Sequence, residues 1–124
     1  MKLEDLKIYT KALELGELVW DQVNVWNYFA KDTVGKQWVR AIDSVAANIS
    51  EGYGRYSFKE NRNFCFYSRG SLMESRTWTE KAKQRDLISE DVYKHLKNEY
   101  ETLGKMLNSY IHSLGKQQGN KPND

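Results

Sequence analysis

Residues 40–55 read RAIDSVAANISEGYGR, and as a helix they present two different faces. One face is apolar and carries Ile42, Val45 and Ile49, the spacing of a helix that packs against a core. The second face carries only hydrogen-bonding or charged side chains, which fall within roughly an 80° arc at about 100° per residue. We call this second face the polar file; its members are Gln37, Arg40, Ser44, Asn48 and Glu51.

The polar file has three interpretations. It is a solvated helix face, a partly buried seam that fixes the register of helices or subunits, or a contact surface for a ligand or nucleic acid. Composition favours the first two. We adopt the seam as the working hypothesis, with Arg40 paired with Glu51 or Glu74, because buried ions must be paired. Ser71 and Glu74 are then expected to face the file from the next helix, where Gly70 would permit close approach.

The composition fits one small cytoplasmic domain. The chain has 124 residues, one proline (Pro122) and a formal charge of +2, too small to indicate a nucleic-acid partner by itself. Its single cysteine, Cys65, excludes an internal disulfide and suits a reducing compartment. No apolar run reaches the length of a signal peptide or a membrane span.

Apolar periodicity predicts helices over 3–26, 33–52, 57–85 and 89–114, an all-α, antiparallel up-down four-helix bundle over residues 1–114. A disordered polar tail is predicted over residues 115–124. The apolar stripe of the first helix is Leu6, Tyr9, Leu13, Val19, Val23 and Trp26.

Residues with special backbone chemistry set the expected helix ends. Asp32 or Thr33 is a plausible N-cap of the second helix, and Ser57 begins a capping box with Glu60. Gly52 and Gly54 suit a left-handed turn after the second helix, and Gly115 is expected to end the fourth.

Several polar residues, in order and at fixed spacing, resemble the four-helix bundle protein family, first described as proteins encoded in intervening sequences of 23S ribosomal RNA genes. The matching residues are Gln37, Arg40-Ala41, Ser44, Asn48-Ile49-Ser50-Glu51-Gly52, Arg55 and Gly70-Ser71-Leu72-Met73-Glu74. The chain departs from the family at Val39, where an arginine is common, and at Ala30 and Ala46, where proline is common.

The resemblance implies a cytosolic bundle that assembles into a ring-like homopentamer. It supplies no biochemical activity. Related small bundles act as accessory proteins of reverse transcriptases and bind nucleic acid through a basic surface, an analogy that shared fold alone supports weakly.

Residues 55–85 hold eight basic and three acidic side chains, a formal +5. Four arginines recur every seven residues, close to two helical turns, and suit phosphate contacts. We call Arg55, Arg62, Arg69 and Arg76 the arginine row. The alternative is that they are solvated or intersubunit charges paired with acids of the first and fourth helices. The nearby aromatics, which could stack on bases, are more often core residues; they are Phe58, Phe64, Phe66 and Tyr67.

No motif indicates an enzyme, a cofactor or a metal site. His95 and His112 lack metal-ligand spacing and are interpreted as surface or interface residues, and Cys65 as a core residue. We therefore expect a non-catalytic, self-assembling interaction or scaffold protein with no small-molecule substrate and no membrane partner. The alternative is an accessory factor that binds RNA, single-stranded DNA or a nucleic-acid enzyme through the arginine row.

Overall fold

The computed structural model describes residues 1–119, which form four long helices and, over that range, no strand. A 3-10 turn at Leu3–Asp5 precedes helix α1 (Lys7–Asn24). Tyr28–Ala30 and a π-helical turn at Lys31–Gly35 lead without a break into helix α2 (Lys36–Tyr53). Helices α3 (Phe58–Gln84) and α4 (Glu90–Gly119) complete the chain. The predicted all-α four-helix fold is confirmed.

Contacts between consecutive helices run in opposite directions, as an up-down bundle requires. Between α2 and α3, Ser68 Oγ donates to the Val45 carbonyl at 2.8 Å, while Gly52 lies against Asn61. Between α3 and α4, Arg62 lies against Gly115 and Arg76 against Gly104. Helices α2 and α3, and likewise α3 and α4, are therefore antiparallel.

Three capping side chains set the helix starts. Asn27 accepts from the Ala30 amide at 3.0 Å, so the second helical segment begins before the predicted Asp32 or Thr33 cap, and that prediction is wrong. Ser57 accepts from the Glu60 amide at 3.1 Å, as the capping-box pattern predicted for that side of the box. Ser89 Oγ accepts from the Val92 amide at 3.1 Å, which satisfies an amide in the first turn of α4.

The left-handed turn predicted after the second helix and the predicted end of the fourth helix are both wrong. No described glycine has a positive φ; α2 ends at Tyr53, and its C-cap Gly54 has φ −77° and ψ −5°, a right-handed conformation. Helix α4 passes through Gly115 and continues to Gly119, so the first five residues of the predicted tail are helical. Residues 120–124 of that predicted tail lie outside the described residues.

Glycine acts here through close packing. A Cβ at Gly52 would lie 2.7 Å from Asn61 Oδ1 and 2.9 Å from both the Asn61 carbonyl oxygen and Phe64 Cβ. The predicted role of Gly70 is wrong, because nothing lies within 4 Å of its Cβ position. The close approach of α2 and α3 therefore depends on Gly52.

A hydrogen-bonded aromatic group lies at the centre of the core. Trp38 is fully buried and donates from Nε1 to the Tyr100 hydroxyl at 3.2 Å, and that hydroxyl lies 2.8 Å from Thr79 Oγ1. Burial raises the pKa of Tyr100 above its ordinary value. Trp26 stacks on Trp38 with ring centroids 5.8 Å apart. This core holds the outward surfaces of α1, α2, α3 and α4 in fixed positions.

No helix within residues 1–119 combines the length and apolar character needed to cross a membrane.

Candidate functional site

The polar file lies on the outer side of α2, and within one chain it is not sealed from water. Gln37, Arg40 and Glu51 are exposed, while Ser44 and Asn48 are half-buried. Ser44 Oγ donates to the Arg40 carbonyl at 2.8 Å, and Asn48 Nδ2 donates to the Ser44 carbonyl at 2.9 Å. The two half-buried members thus bond to the backbone of their own helix.

Within one chain, Arg40 does not pair with Glu51 or Glu74 as predicted. Eleven residues separate Arg40 from Glu51, which is about 16 Å along a helix axis. Glu51 instead accepts from Arg55 Nη2 at 2.8 Å, and exposed Glu74 accepts from Trp78 Nε1 at 3.0 Å. Arg40 forms no ion pair with any residue in the described part of the chain.

A groove between α1 and α2 adjoins the file at Arg40. Four outward positions of α1 line one side, spaced four, three and four residues apart: Leu13, Glu17, Trp20 and Asn24. Four positions of α2 with the same spacing line the other side in reverse order: Ala47, Asp43, Arg40 and Lys36. We call this surface the α1/α2 groove.

The two ends of the α1/α2 groove differ in charge. One end, of about 250 Å³, contains Leu13, Glu17 and Asp43. Burial, with a smaller contribution from the charge of Glu17, raises the pKa of the Asp43 carboxyl. The other end, of about 330 Å³, combines Trp20 with Lys31, Lys36 and Arg40. One continuous face thus has an acidic end and a basic end, each with apolar lining.

Large apolar side chains remain exposed along this face and beyond it. Leu13, predicted in the apolar stripe, is 46% exposed, and Trp20 is 54% exposed. Val25, Tyr28 and Phe29 follow at 82%, 80% and 76%. Sequence reasoning missed Trp20, although its helical spacing from Leu13 and Glu17 marks one outward stripe.

Arg55 does not extend the arginine row. It lies in the turn between α2 and α3, where Nη2 pairs with Glu51 at 2.8 Å and Nη1 lies 3.9 Å from Glu60. Its guanidinium lies over the Phe64 ring, 4.7 Å from the centroid, next to α2. For Arg55, the alternative of a charge paired with acids holds, although these acids belong to α2 and α3.

The other three arginines of the row belong to α3, and their side chains lie against α4. The Arg62 guanidinium lies about 3.5 Å from the Cβ position of Gly115, and Arg76 Nη2 lies 3.6 Å from that of Gly104. Arg69 Nη1 donates to Asn108 Oδ1 at 3.1 Å. Arg76 Nε is buried, and no hydrogen-bond acceptor for it lies among residues 1–119. These three positions of α4, Gly104, Asn108 and Gly115, carry no charge and have small or short side chains.

A cleft of about 550 Å³ opens between α3 and α4 around Arg62 and Arg69. We call it the basic cleft; its lining is Arg62, Arg69, Asn108, Ile111, His112, Gly115 and Lys116, with no acidic residue. The Phe66 ring lies beside both arginines, 5.6 Å from Arg62 Cζ and 4.8 Å from Arg69 Cζ. Sequence reasoning missed Lys116, which it assigned to the tail, and interpreted His112 only as a surface or interface residue without linking it to the arginine row. Arginines spaced seven residues apart on one helix do not reveal which cations the facing helix adds.

The aromatics near the row lie mostly at the boundary of the core. Phe58, Phe64 and Phe66 are half-buried, whereas Tyr67 is 60% exposed and its core interpretation is wrong. Cys65 is fully buried, and burial raises its thiol pKa to about 11, which suppresses thiolate chemistry. Within residues 1–119, no group of three or more His, Cys, Asp or Glu residues could hold a metal ion.

Comparison with known proteins identifies related sequences and folds. The family model described as 23S rRNA-intervening sequence protein matches residues 4–109. Among solved structures, the chain is similar to a protein with unknown function from the S23 ribosomal protein family of Bacteroides thetaiotaomicron. The two are 22% identical with a TM-score of 0.75, over 84% of this chain and 97% of the other. No curated protein matches the chain.

Proposed function

The chain belongs to the 23S rRNA-intervening sequence protein family, and from that premise we propose that it is a self-assembling, non-catalytic interaction protein of the cytoplasm. The assembly we propose is the ring-like homopentamer that the family resemblance implies. In it, the polar file, with Ser71 and Glu74, lies at or beside subunit contacts and helps to fix their register.

The observation that carries the proposal is the exposed apolar surface of α1 and the turn after it. Trp20, Val25, Tyr28 and Phe29 each expose more than half of their surface within one chain. Burying apolar surface yields about 25 cal/mol per Å², and contiguous exposed patches mark interaction sites. A chain with such a surface gains free energy by covering it, and further copies of itself are always available.

Size-exclusion chromatography with light scattering tests this proposal. The wild-type protein is expected to have a mass several times its 14.6 kDa chain mass. Trp20→Ser with Phe29→Ser should lower that mass without lowering the stability of the single chain, because both side chains are exposed. Tyr67→Ser is the matched control, since Tyr67 is an equally exposed aromatic on α3. A wild-type mass of one chain, or equal losses in the control, would contradict the proposal.

The basic cleft favours a second candidate function, binding of RNA or single-stranded DNA as an accessory factor. Arg62, Arg69, His112 and Lys116 line one cleft without an acidic side chain, and Arg69 has only the neutral Asn108 as hydrogen-bond partner in the described chain. Phosphate groups are the ligands that such guanidinium and ammonium groups bind best. Arg55 is no longer part of this candidate site, because its charge is engaged by Glu51 and Glu60. Arg76 does not line the basic cleft, so it stays a candidate only as the next arginine of the row along α3.

Titration of a single-stranded RNA oligonucleotide at several salt concentrations tests the second candidate. Each phosphate contact contributes about 0.7 to the slope of log affinity against log salt for single strands, so Arg69→Ala with Lys116→Ala should reduce the slope by about 1.4. Lys94→Ala, an exposed lysine of α4 outside the cleft, is the control and should leave the slope unchanged beyond a general charge effect. Absence of binding at low salt would remove this function.

A further inference from the structure

We infer that the α1/α2 groove docks further copies of this chain head to tail, so that the basic end of one copy receives the acidic end of the next. This inference rests on the proposed self-assembly and assigns it to a specific surface. The occupant is a second copy of this chain, because the groove itself carries both of the complementary chemistries.

The acidic end lacks a cation of its own. Glu17 and Asp43 line the same part of the groove, and neither forms an ion pair with any of residues 1–119. Asp43 also packs tightly, since its Oδ1 lies 2.8 Å from the Cβ position of Gly16. Burial, and to a smaller extent repulsion by the Glu17 carboxylate, raises the pKa of Asp43. A cation from outside the chain would relieve the repulsion.

The basic end of the groove lacks acidic partners for its cations. Lys31, Lys36 and Arg40 line it together, and none of the three forms an ion pair with a carboxylate in the described chain. The half-exposed Trp20 ring lies among them. An aromatic surrounded by unpaired cations fits an apolar partner surface that carries carboxylates, which is the composition of the acidic end with Leu13, Glu17 and Asp43.

The positions of the two ends allow the basic end of one copy to contact the acidic end of another. They follow one another along about 16 Å of paired helix, from Leu13 and Ala47 to Asn24 and Lys36. In the proposed ring the contact is head to tail: each copy offers its basic end to one neighbour and its acidic end to the neighbour on its other side. Opposite charges that meet across a contact fix its register, and like charges suppress other pairings.

Charge reversal separates this inference from the broader assembly proposal. One variant reverses the basic end (Lys36→Glu with Arg40→Glu), a second reverses the acidic end (Glu17→Lys with Asp43→Lys), and a third combines all four changes. Light scattering should show that each of the first two falls toward the 14.6 kDa single chain. The combined variant should recover assembly, because its basic and acidic ends have exchanged places. Circular dichroism melts verify folding, and Glu17→Lys alone replaces the second variant if Asp43→Lys disturbs the contact with Gly16.

The matched control is Lys59→Glu with Lys94→Glu, which changes net charge equally at exposed positions of α3 and α4. It should keep the wild-type mass. If the first two variants also keep the wild-type mass, the protein assembles through another surface and the inference is wrong while the proposed function stands. If the combined variant folds but stays monomeric, charge complementarity is wrong. A wild-type protein that is itself a single chain overturns both.

Discussion

Replacing Gly52 with alanine would place a methyl group where α2 and α3 meet. The added Cβ would lie 2.7 Å from Asn61 Oδ1, 2.9 Å from the Asn61 carbonyl oxygen and 2.9 Å from Phe64 Cβ. Two of these three atoms belong to the backbone or to the first carbon of a side chain, so rotamer changes cannot remove the overlap. The helices themselves must separate.

The magnitude follows from two opposing effects. Extra methyl groups in a packed contact cost about 1–3 kcal/mol, and the rigid neighbours favour the upper half of that range. Alanine gains about 1 kcal/mol over glycine inside a helix. We therefore expect Gly52→Ala to lower the free energy of unfolding by about 1–2 kcal/mol.

Gly70→Ala provides the control, because it makes the same chemical change inside α3 where nothing lies within 4 Å of the new methyl group. It should raise the free energy of unfolding by up to about 1 kcal/mol. Urea unfolding followed by far-UV circular dichroism, at one protomer concentration for all proteins, measures both variants against wild type. Equal effects of the two substitutions, or a stabilising Gly52→Ala, would refute the assignment of the close contact to Gly52.

Three further predictions concern the core and the helix caps. Tyr100→Phe removes the hydroxyl that accepts from Trp38 Nε1, and leaving this buried donor unsatisfied should cost about 1–3 kcal/mol in the same urea experiment, whereas Thr79 keeps its bond to the Ser75 carbonyl. Burial raises the pKa of Cys65 from 9.0 to about 11, so the contribution of this thiol to stability should be constant below pH 9 and fall as the pH rises from 9 toward 11. Burial of Tyr100 adds a fall of its own above pH 10, so Cys65→Ala should lose less stability than wild type between pH 9 and 11 in pH-dependent melts. Ser57→Ala removes the N-cap of α3 and should cost about 1 kcal/mol, whereas Ser57→Asp should keep most of the stability.

The sequence predicts the helices well where burial is periodic. Trp38, Ile42, Val45 and Ile49 recur at helical spacing, and all four are fully buried. The start of the second helical segment at Asn27 was missed, because the residues after it include the exposed Tyr28 and Phe29 and show no apolar period. Periodicity locates the centre of a helix better than its ends.

A projection down the helix axis also gives wrong predictions about which side chains form ion pairs. Arg40 and Glu51 share an angular sector, but a projection omits the rise along the axis, and about 16 Å separates them. Gly52 and Gly70 look alike in sequence, and only the neighbouring helix shows which one needs to lack a side chain. Roles that depend on a second helix require the packing to be known.

The need to know how the helices pack also explains which parts of the candidate sites the sequence revealed. Seven-residue spacing placed Arg62, Arg69 and Arg76 on one face, whereas the contributions of His112 and Lys116 come from the helix that this face meets. The α1/α2 groove was missed for the same reason, since its acidic and basic ends combine residues from two helices and the turn between them.

Sedimentation equilibrium of the wild-type protein tests self-assembly, the central claim, most directly, because it gives mass without reference to shape. We predict a whole-number multiple of 14.6 kDa, five-fold for the proposed ring, that persists on dilution through the micromolar range of about 1 μM upward. A mass of 14.6 kDa throughout that range would contradict the account, and the exposed surface of α1 would then need another explanation.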